Sequence, residues 1–251
     1  MSTEQRLLWL HPFQDNRTVH NLILERTDHI NKFVTPMQLT IQYFINNYRS
    51  RSFMKILALS DVHGDRFFIQ EMAERGAKEK VDLVLLAGDL VDHQGNADGL
   101  IGPFKEKGLE VAILPGNHEG LAEVQFLAEK YKIKNLHGYV IKVGDVGIFG
   151  CGYADVGIHQ LSEKEFFETL KKAHDSLKDV KKKLMVTHVQ PSESIIGLGI
   201  FPGSLGVRRA IEEFKPDVHI CGHVHETHGI EEVIGSTRVI NVGKTGKIIE
   251  L

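Results

Sequence analysis

From residue 54 onward the chain alternates short apolar runs with stretches in which apolar residues recur every three or four positions. Runs at 55–59, 83–87, 111–114, 139–149, 184–187 and 218–221 predict buried strands. The helical periodicity of 66–78, 121–130, 163–180 and 207–214 predicts the connecting helices. Short strands alternating with helices define an α/β core. Two stretches break this rhythm. Residues 138–153 and 228–250 read as hairpin-connected strands with turns at Gly144-Asp145 and Gly235-Ser236, and they predict a second sheet packed on the first. Lys171, Lys172, Lys178, Lys181, Lys182 and Lys183 are expected on the solvated face and C-terminal end of the third helix.

The polar residues that interrupt the pattern fall where five of the strands stop. They are Asp61-Val62-His63-Gly64, Gly88-Asp89, Gly116-Asn117-His118-Glu119, Thr187-His188 and Gly222-His223-Val224-His225. Ligands of open α/β sheets bind at the carboxyl ends of the strands, so the five loops are expected to converge on one crevice. Carboxylate oxygen and imidazole nitrogen suit divalent ions such as Mn, Fe, Ni and Zn. In Asp61-x-His63 and His223-x-His225, residues two apart on extended backbone would point the same way and bring two ligands to one centre. Gly64, Gly88, Gly116 and Gly222 allow close backbone approach. Each motif alone has a structural explanation, an aspartate as a helix cap or a histidine as a satisfied polar group. Five of them in this order point to a metal centre.

That order, D-x-H, G-D, G-N-H-E, T-H and G-H-x-H, resembles the calcineurin-like metallophosphoesterase superfamily, and the small bacterial and archaeal phosphodiesterases in particular. The resemblance implies a four-layer α/β/β/α sandwich, two mixed β-sheets flanked by helices. It implies two divalent metal ions, Mn foremost with Fe, Ni or Zn as alternatives. Asp61, His63 and His225 would hold the first, Asn117, His188 and His223 the second, and Asp89 would bridge both. The implied reaction is in-line attack of a metal-bound hydroxide on a phosphodiester, or a phosphomonoester, of a small substrate. His118 is the expected proton donor to the leaving alkoxide. In the protein-phosphatase branch the matching histidine is oriented by an aspartate, here Asp92. That branch also carries an arginine where this chain has His93, which argues against a phosphoprotein substrate. The same fold also implies two rival readings, a catalytically silent protein-binding scaffold like the retromer subunit and a nuclease. A scaffold would have lost ligands that this chain retains.

Composition narrows the remaining choices. A net charge of -3 provides no basic field for nucleic-acid phosphates, which disfavours strong nucleic-acid binding and the nuclease reading. No apolar run reaches the roughly eighteen residues of a membrane span, and the N-terminus does not read as a secretory signal. With Cys151 and Cys221 expected as reduced, buried thiols, the expected location is cytoplasmic. All 24 glycines lie at or after Gly64, and residues 1–53 also contain no alanine. That break divides the chain into an extension, 1–53, and a metallophosphoesterase domain, 54–251, with Met54 the expected native start and a genuine helical extension that packs on the domain or mediates oligomers as the rival reading. Gly243-Lys244-Thr245 resembles the end of a phosphate-binding loop, but Arg238 stands where the first glycine belongs, so an ATPase is excluded. Arg208 and Arg209 are expected on the surface rather than at a substrate phosphate. His93 and His228 lie near the motifs as outer neighbours of the ligands. The loop 190–205, apolar through Ile195, Ile196, Leu198, Ile200 and Phe201, is expected to serve as a lid or as a patch for homo-oligomers.

Overall fold

The structure, a computed structural model, describes residues 53–91 and 95–251. The reading of 1–53 as an extension therefore lies outside the described residues except at Phe53, and so do the roles given to Asp92 and His93.

The strands are β1 (Lys55–Leu59), β2 (Leu83–Ala87), β3 (Val111–Leu114), β4 (Lys134–Asn135), β5 (Val140–Val143), β6 (Val146–Cys151), β7 (Lys182–Thr187), β8 (Val218–Cys221), β9 (Glu231–Ile234), β10 (Thr237–Asn241) and β11 (Lys247–Glu250). The helices, numbered here along the described residues, are α1 (Arg66–Glu79), α2 (Gly102–Glu106), α3 (Leu121–Tyr131), α4 (Glu163–Asp175) and α5 (Leu205–Phe214). One sheet has the order β11-β1-β2-β3-β4 and the other β5-β6-β7-β8-β10-β9. Both are mixed. β1 to β4 run parallel with β11 antiparallel at the edge, while β6, β7, β8 and β10 run parallel between antiparallel β5 and β9.

Three apolar layers hold four layers of structure together. Between the sheets lie residues such as Ile56, Ile148, Leu184, Ile220 and Ile240, all fully buried. Burying each such side chain contributes roughly 1.5–3 kcal/mol. The outer face of the first sheet is covered by Ile69 and Ala73 of α1, Phe104 of α2 and Val124 and Leu127 of α3. That of the second is covered by Phe166 and Leu170 of α4 and Val207 and Ile211 of α5. The α/β/β/α sandwich is the expected fold. Local chemistry sets the helix ends: the Asp65 carboxylate accepts the Phe68 N–H to start α1, and Ser162 and Glu165 form a capping box at the start of α4.

Two expectations are corrected. The helix predicted over 163–180 ends at Asp175, and the chain passes through a left-handed residue, Asp179 (φ 54), into β7. Only Lys171 and Lys172 of the lysine group are helical. Lys181 pairs with Asp145, and Lys182, in β7, pairs with Asp217. The segment 228–250 does not stay in one sheet. β9 and β10 form the expected hairpin at Gly235-Ser236, but β11 crosses to the first sheet and pairs with β1, burying Ile249 in the central layer. Polar-apolar alternation reports which face is buried, and it carries no information on which sheet does the burying.

Candidate metal centre

β1, β2 and β3 of one sheet and β7 and β8 of the other deliver their C-terminal loops to the same place. The crevice therefore lies between two sheets, not along the edge of one. The loops are stitched together by backbone hydrogen bonds. Asp61 N–H donates to Gly88 O (3.1 Å) and His63 N–H to Asp89 O (3.0 Å) within the first sheet, and Gly222 N–H donates to His188 O (2.8 Å) within the second. His188 joins the two sheets, because its Nδ1 lies 2.9 Å from Ala87 O at the end of β2. As a donor at Nδ1, it turns Nε2 toward the crevice.

The side chains do not converge by extended-strand alternation, as their spacing suggested. Asp61 (φ 54), His63 (φ 48), Asp89 (φ 50) and His223 (φ 70) all adopt left-handed backbone. For residues with a Cβ this costs on the order of 1 kcal/mol or more each, and such strain collects at functional sites. It takes these side chains out of the alternation of an extended strand. The approach is close enough that a Cβ on Gly222 would lie 2.0 Å from Ser60 Oγ and 2.4 Å from Asp61 Oδ2.

Six of the seven expected ligands are found in the three groups of donor atoms that lie within 4.8 Å of one another, and the seventh, Asn117, is beside them. Asp61 groups with His225 and His228, Asp89 groups with His63 and His118, and Asp89 groups again with His188 and His223. His63 Nε2 and His225 Nε2 face each other at 3.1 Å. His188 Nε2 lies 3.1 Å from Asn117 Oδ1 and 3.3 Å from Asp89 Oδ2. His118, the expected proton donor, has its Nε2 3.7 Å from Asp89 Oδ2, and its backbone N–H donates to Asp89 Oδ1 (3.1 Å).

Asp61 is 0% exposed and Asp89 2%. Among the described residues, the ion-pair partners of both carboxylates are all histidines. Burial raises the Asp61 pKa, but the imidazoles of His225 and His228 beside its oxygens outweigh it and hold the group far below the usual carboxylate range. Burial likewise raises Asp89, and the charge and hydrogen bond of His188 bring it down to about 2. Burial lowers His188, yet the charge and hydrogen bond of Asp89 lift it to about 10. Burial and the charge of His188 press His223 down to about 4. Two buried anions thus draw a proton onto a buried imidazole, the response of a site that is short of positive charge. Buried carboxylate pairs kept for stability alone normally recruit Arg or Lys. A mixed N/O set with a deficit of positive charge fits divalent cations.

Glu119 received no role from the sequence, although it closes the third motif. It is fully buried and accepts three backbone N–H groups, from Asp89 (3.1 Å), Val91 (2.8 Å) and Gly116 (2.8 Å), binding the β2 and β3 loops together. Burial, with the charge of Asp89, raises its pKa to about 7. Its place directly after Asn117-His118 was the available signal. His219, also without a sequence role, is neutral because burial lowers its pKa to about 3, and its Nε2 lies 2.8 Å from Thr187 Oγ1 beside His188. Asp155 lies 4.0 Å from His223 Nε2, and no pattern in the sequence marks it. Arg208 and Arg209 pair with Glu212 and Glu213 one helical turn on, the expected surface role. Cys151 and Cys221 are buried and unpaired. In the loop 190–205, Ile196 is buried, its carbonyl accepting from Thr227 Oγ1, while Ile195, Leu198, Ile200 and Phe201 are exposed.

Fold and donor chemistry together define a metal-dependent hydrolase. Residues 54–227 match the sequence pattern of the calcineurin-like phosphoesterases, and the chain belongs to that family. No curated protein sequence matches it. Among solved structures it is similar to TT1561 of Thermus thermophilus, with a TM-score of 0.65 at 19% identity over 80% of this chain and 99% of that one. Phosphopantetheinyl hydrolase from Mycobacterium tuberculosis superposes with a TM-score of 0.55 at 12% identity, over 76% of this chain and 89% of that one. A dimetal phosphatase from Danio rerio gives 0.54 at 12% identity, over 77% and 88%. At these identities the likeness is one of fold. Among the described residues no helix is long and apolar enough to cross a membrane.

Proposed function

We propose that this phosphoesterase hydrolyses small phosphodiesters, and more slowly phosphomonoesters, with two divalent ions, manganese foremost. The observation that carries this reading is Asp89, one buried carboxylate shared by two groups of imidazoles. Asp61, His63 and His225 would hold the first ion, Asn117, His188 and His223 the second, and Asp89 both. When bound, such a pair supplies a water ionised near neutral pH and neutralises phosphate oxygens. The chain's own residues do the rest. The buried carboxylates and the backbone ties between loops hold the donors in place with little reorganisation. His118, on the rim and 19% exposed at its side chain, can reach a leaving oxygen and protonate it. The dimetal phosphatase named above supports dinuclear chemistry on this fold. The two buried, unpaired cysteines support a reducing, cytoplasmic setting.

The test is a metal-by-substrate panel. EDTA-treated protein should be inactive and regain hydrolysis with Mn, cleaving bis-p-nitrophenyl phosphate faster than p-nitrophenyl phosphate. Activity indifferent to EDTA would refute a metal requirement, and the reverse substrate order would refute the diesterase assignment.

His118→Gln separates proton donation from metal binding. The variant should keep both ions yet lose about 100-fold or more on alkyl esters, within the range of general-acid contributions. Nitrophenyl esters, whose leaving group is stable as an anion, should lose far less. Equal losses on the two classes would argue that His118 serves another purpose.

A further inference from the structure

The turn Gly243–Thr245, which resembles a phosphate-binding loop without being one, packs against a histidine outside the seven-residue ligand set. His228 follows the short turn His225–Thr227, and its ring centroid lies 5.3 Å from that of His225. At one edge, His228 Nδ1 accepts the Lys244 backbone N–H at 3.4 Å. At the other, Nε2 is buried and points at Asp61 Oδ2, 3.6 Å away, with no nearer hydrogen-bond partner among the described residues. The ring lies directly on Gly243, where a Cβ would sit 2.0 Å from His228 Cδ2. The turn is itself fastened to the loop that carries Asp61: Ser60 N–H donates to Gly243 O (3.0 Å), and Lys244 Nζ pairs with Asp65 (2.7 Å).

A neutral imidazole has one N–H and one lone pair. His228 gives its lone pair, at Nδ1, to the Lys244 N–H, so its proton sits on Nε2 and faces Asp61. A nitrogen in that state has no electron pair for a cation. The Asp61 oxygens divide accordingly, with Oδ1 3.5 Å from His225 Nε2 and Oδ2 toward His228. We infer that His228 is a positioning residue and not a ligand: its Nε2–H holds Asp61 Oδ2, leaving Oδ1 for the first ion beside His225, and the Gly243–Lys244 turn sets its tautomer. This rests on the proposed role of Asp61 at the first ion. The Gly-Lys-Thr run thereby acquires a function, as a backbone cradle that governs a histidine where a phosphate loop would govern a nucleotide.

The experiment is Co(II) titration of the full chain, read by visible absorption. Band position and intensity report the ligand set, and the titration reports affinity. His228→Ala should bind two ions with unchanged bands but hold one of them about tenfold less tightly, the scale of outer-ligand losses. His228→Gln places an amide N–H near the same point and should recover most of that loss. Gly243→Ala, which displaces the ring, should reproduce the alanine defect. Altered bands in His228→Ala would make His228 a ligand and overturn the inference, and so would unchanged affinity or a glutamine variant as weak as alanine. A wild type that takes up no Co(II) would sink the dinuclear reading together with this inference. A wild type that binds two ions, with indistinguishable variants, would sink only the role of His228.

Discussion

Asp89→Asn is expected to empty both metal positions and to abolish most hydrolysis, with losses beyond the roughly 100-fold typical of residues that only orient ligands. The reason is geometric. Asp89 Oδ2 lies within 3.3–3.8 Å of three imidazole nitrogens, and Oδ1 accepts the His118 N–H, and among the described residues no other side chain belongs to two of the donor groups. Asparagine keeps the shape but removes the charge. In metal-free protein the same change has a second consequence. Asp89 supplies the leading contributions that hold the His188 pKa at about 10 against burial, so the variant should lose the His188 proton at a much lower pH. Metal content by elemental analysis and imidazole titration by NMR read the two effects separately. Full metal occupancy in the variant would end the bridging assignment, and an unmoved His188 titration would end the electrostatic account.

Glu119→Ala carries the next largest expected effect, and it acts on stability first. Three backbone N–H groups, those of Asp89, Val91 and Gly116, would lose their buried acceptor. A buried donor left unmatched costs about 1–3 kcal/mol, so the sum is at least about 3 kcal/mol and a large part of a typical domain's stability. Urea unfolding in the presence of EDTA measures this without any contribution from bound ions. Glu119→Gln retains one oxygen, which can serve the Asp89 and Gly116 N–H groups that share Glu119 Oε2, but turns an NH2 toward the third donor. It should fold with an intermediate midpoint and bind metal more weakly, since the β2 and β3 loops would no longer be held in register. An alanine variant with the wild-type urea midpoint would show that the loops are held by other means.

How much of this was readable in one dimension follows from the range of each interaction. Strands β1, β2, β3 and β8 have the bounds that their apolar runs predict, because a buried strand needs an unbroken apolar stretch and a polar loop to end it. The two-residue β4 and the five-residue α2 are too short for any periodicity to register and were not predicted. The donor residues were legible because histidine and aspartate at five strand ends have few structural uses in common.

What the sequence by itself determined is therefore the inventory: the α/β class, the strand ends and the chemistry gathered there. Only the tertiary structure decided that the five loops come from two sheets, that β11 returns to brace β1, and that the candidate donors converge through left-handed backbone. It also brought Glu119 and His228 into use. The reason is that a hydrogen bond or a charge acts over a few ångströms of space, and His228 and Asp61 stand 3.6 Å apart there across more than half the chain.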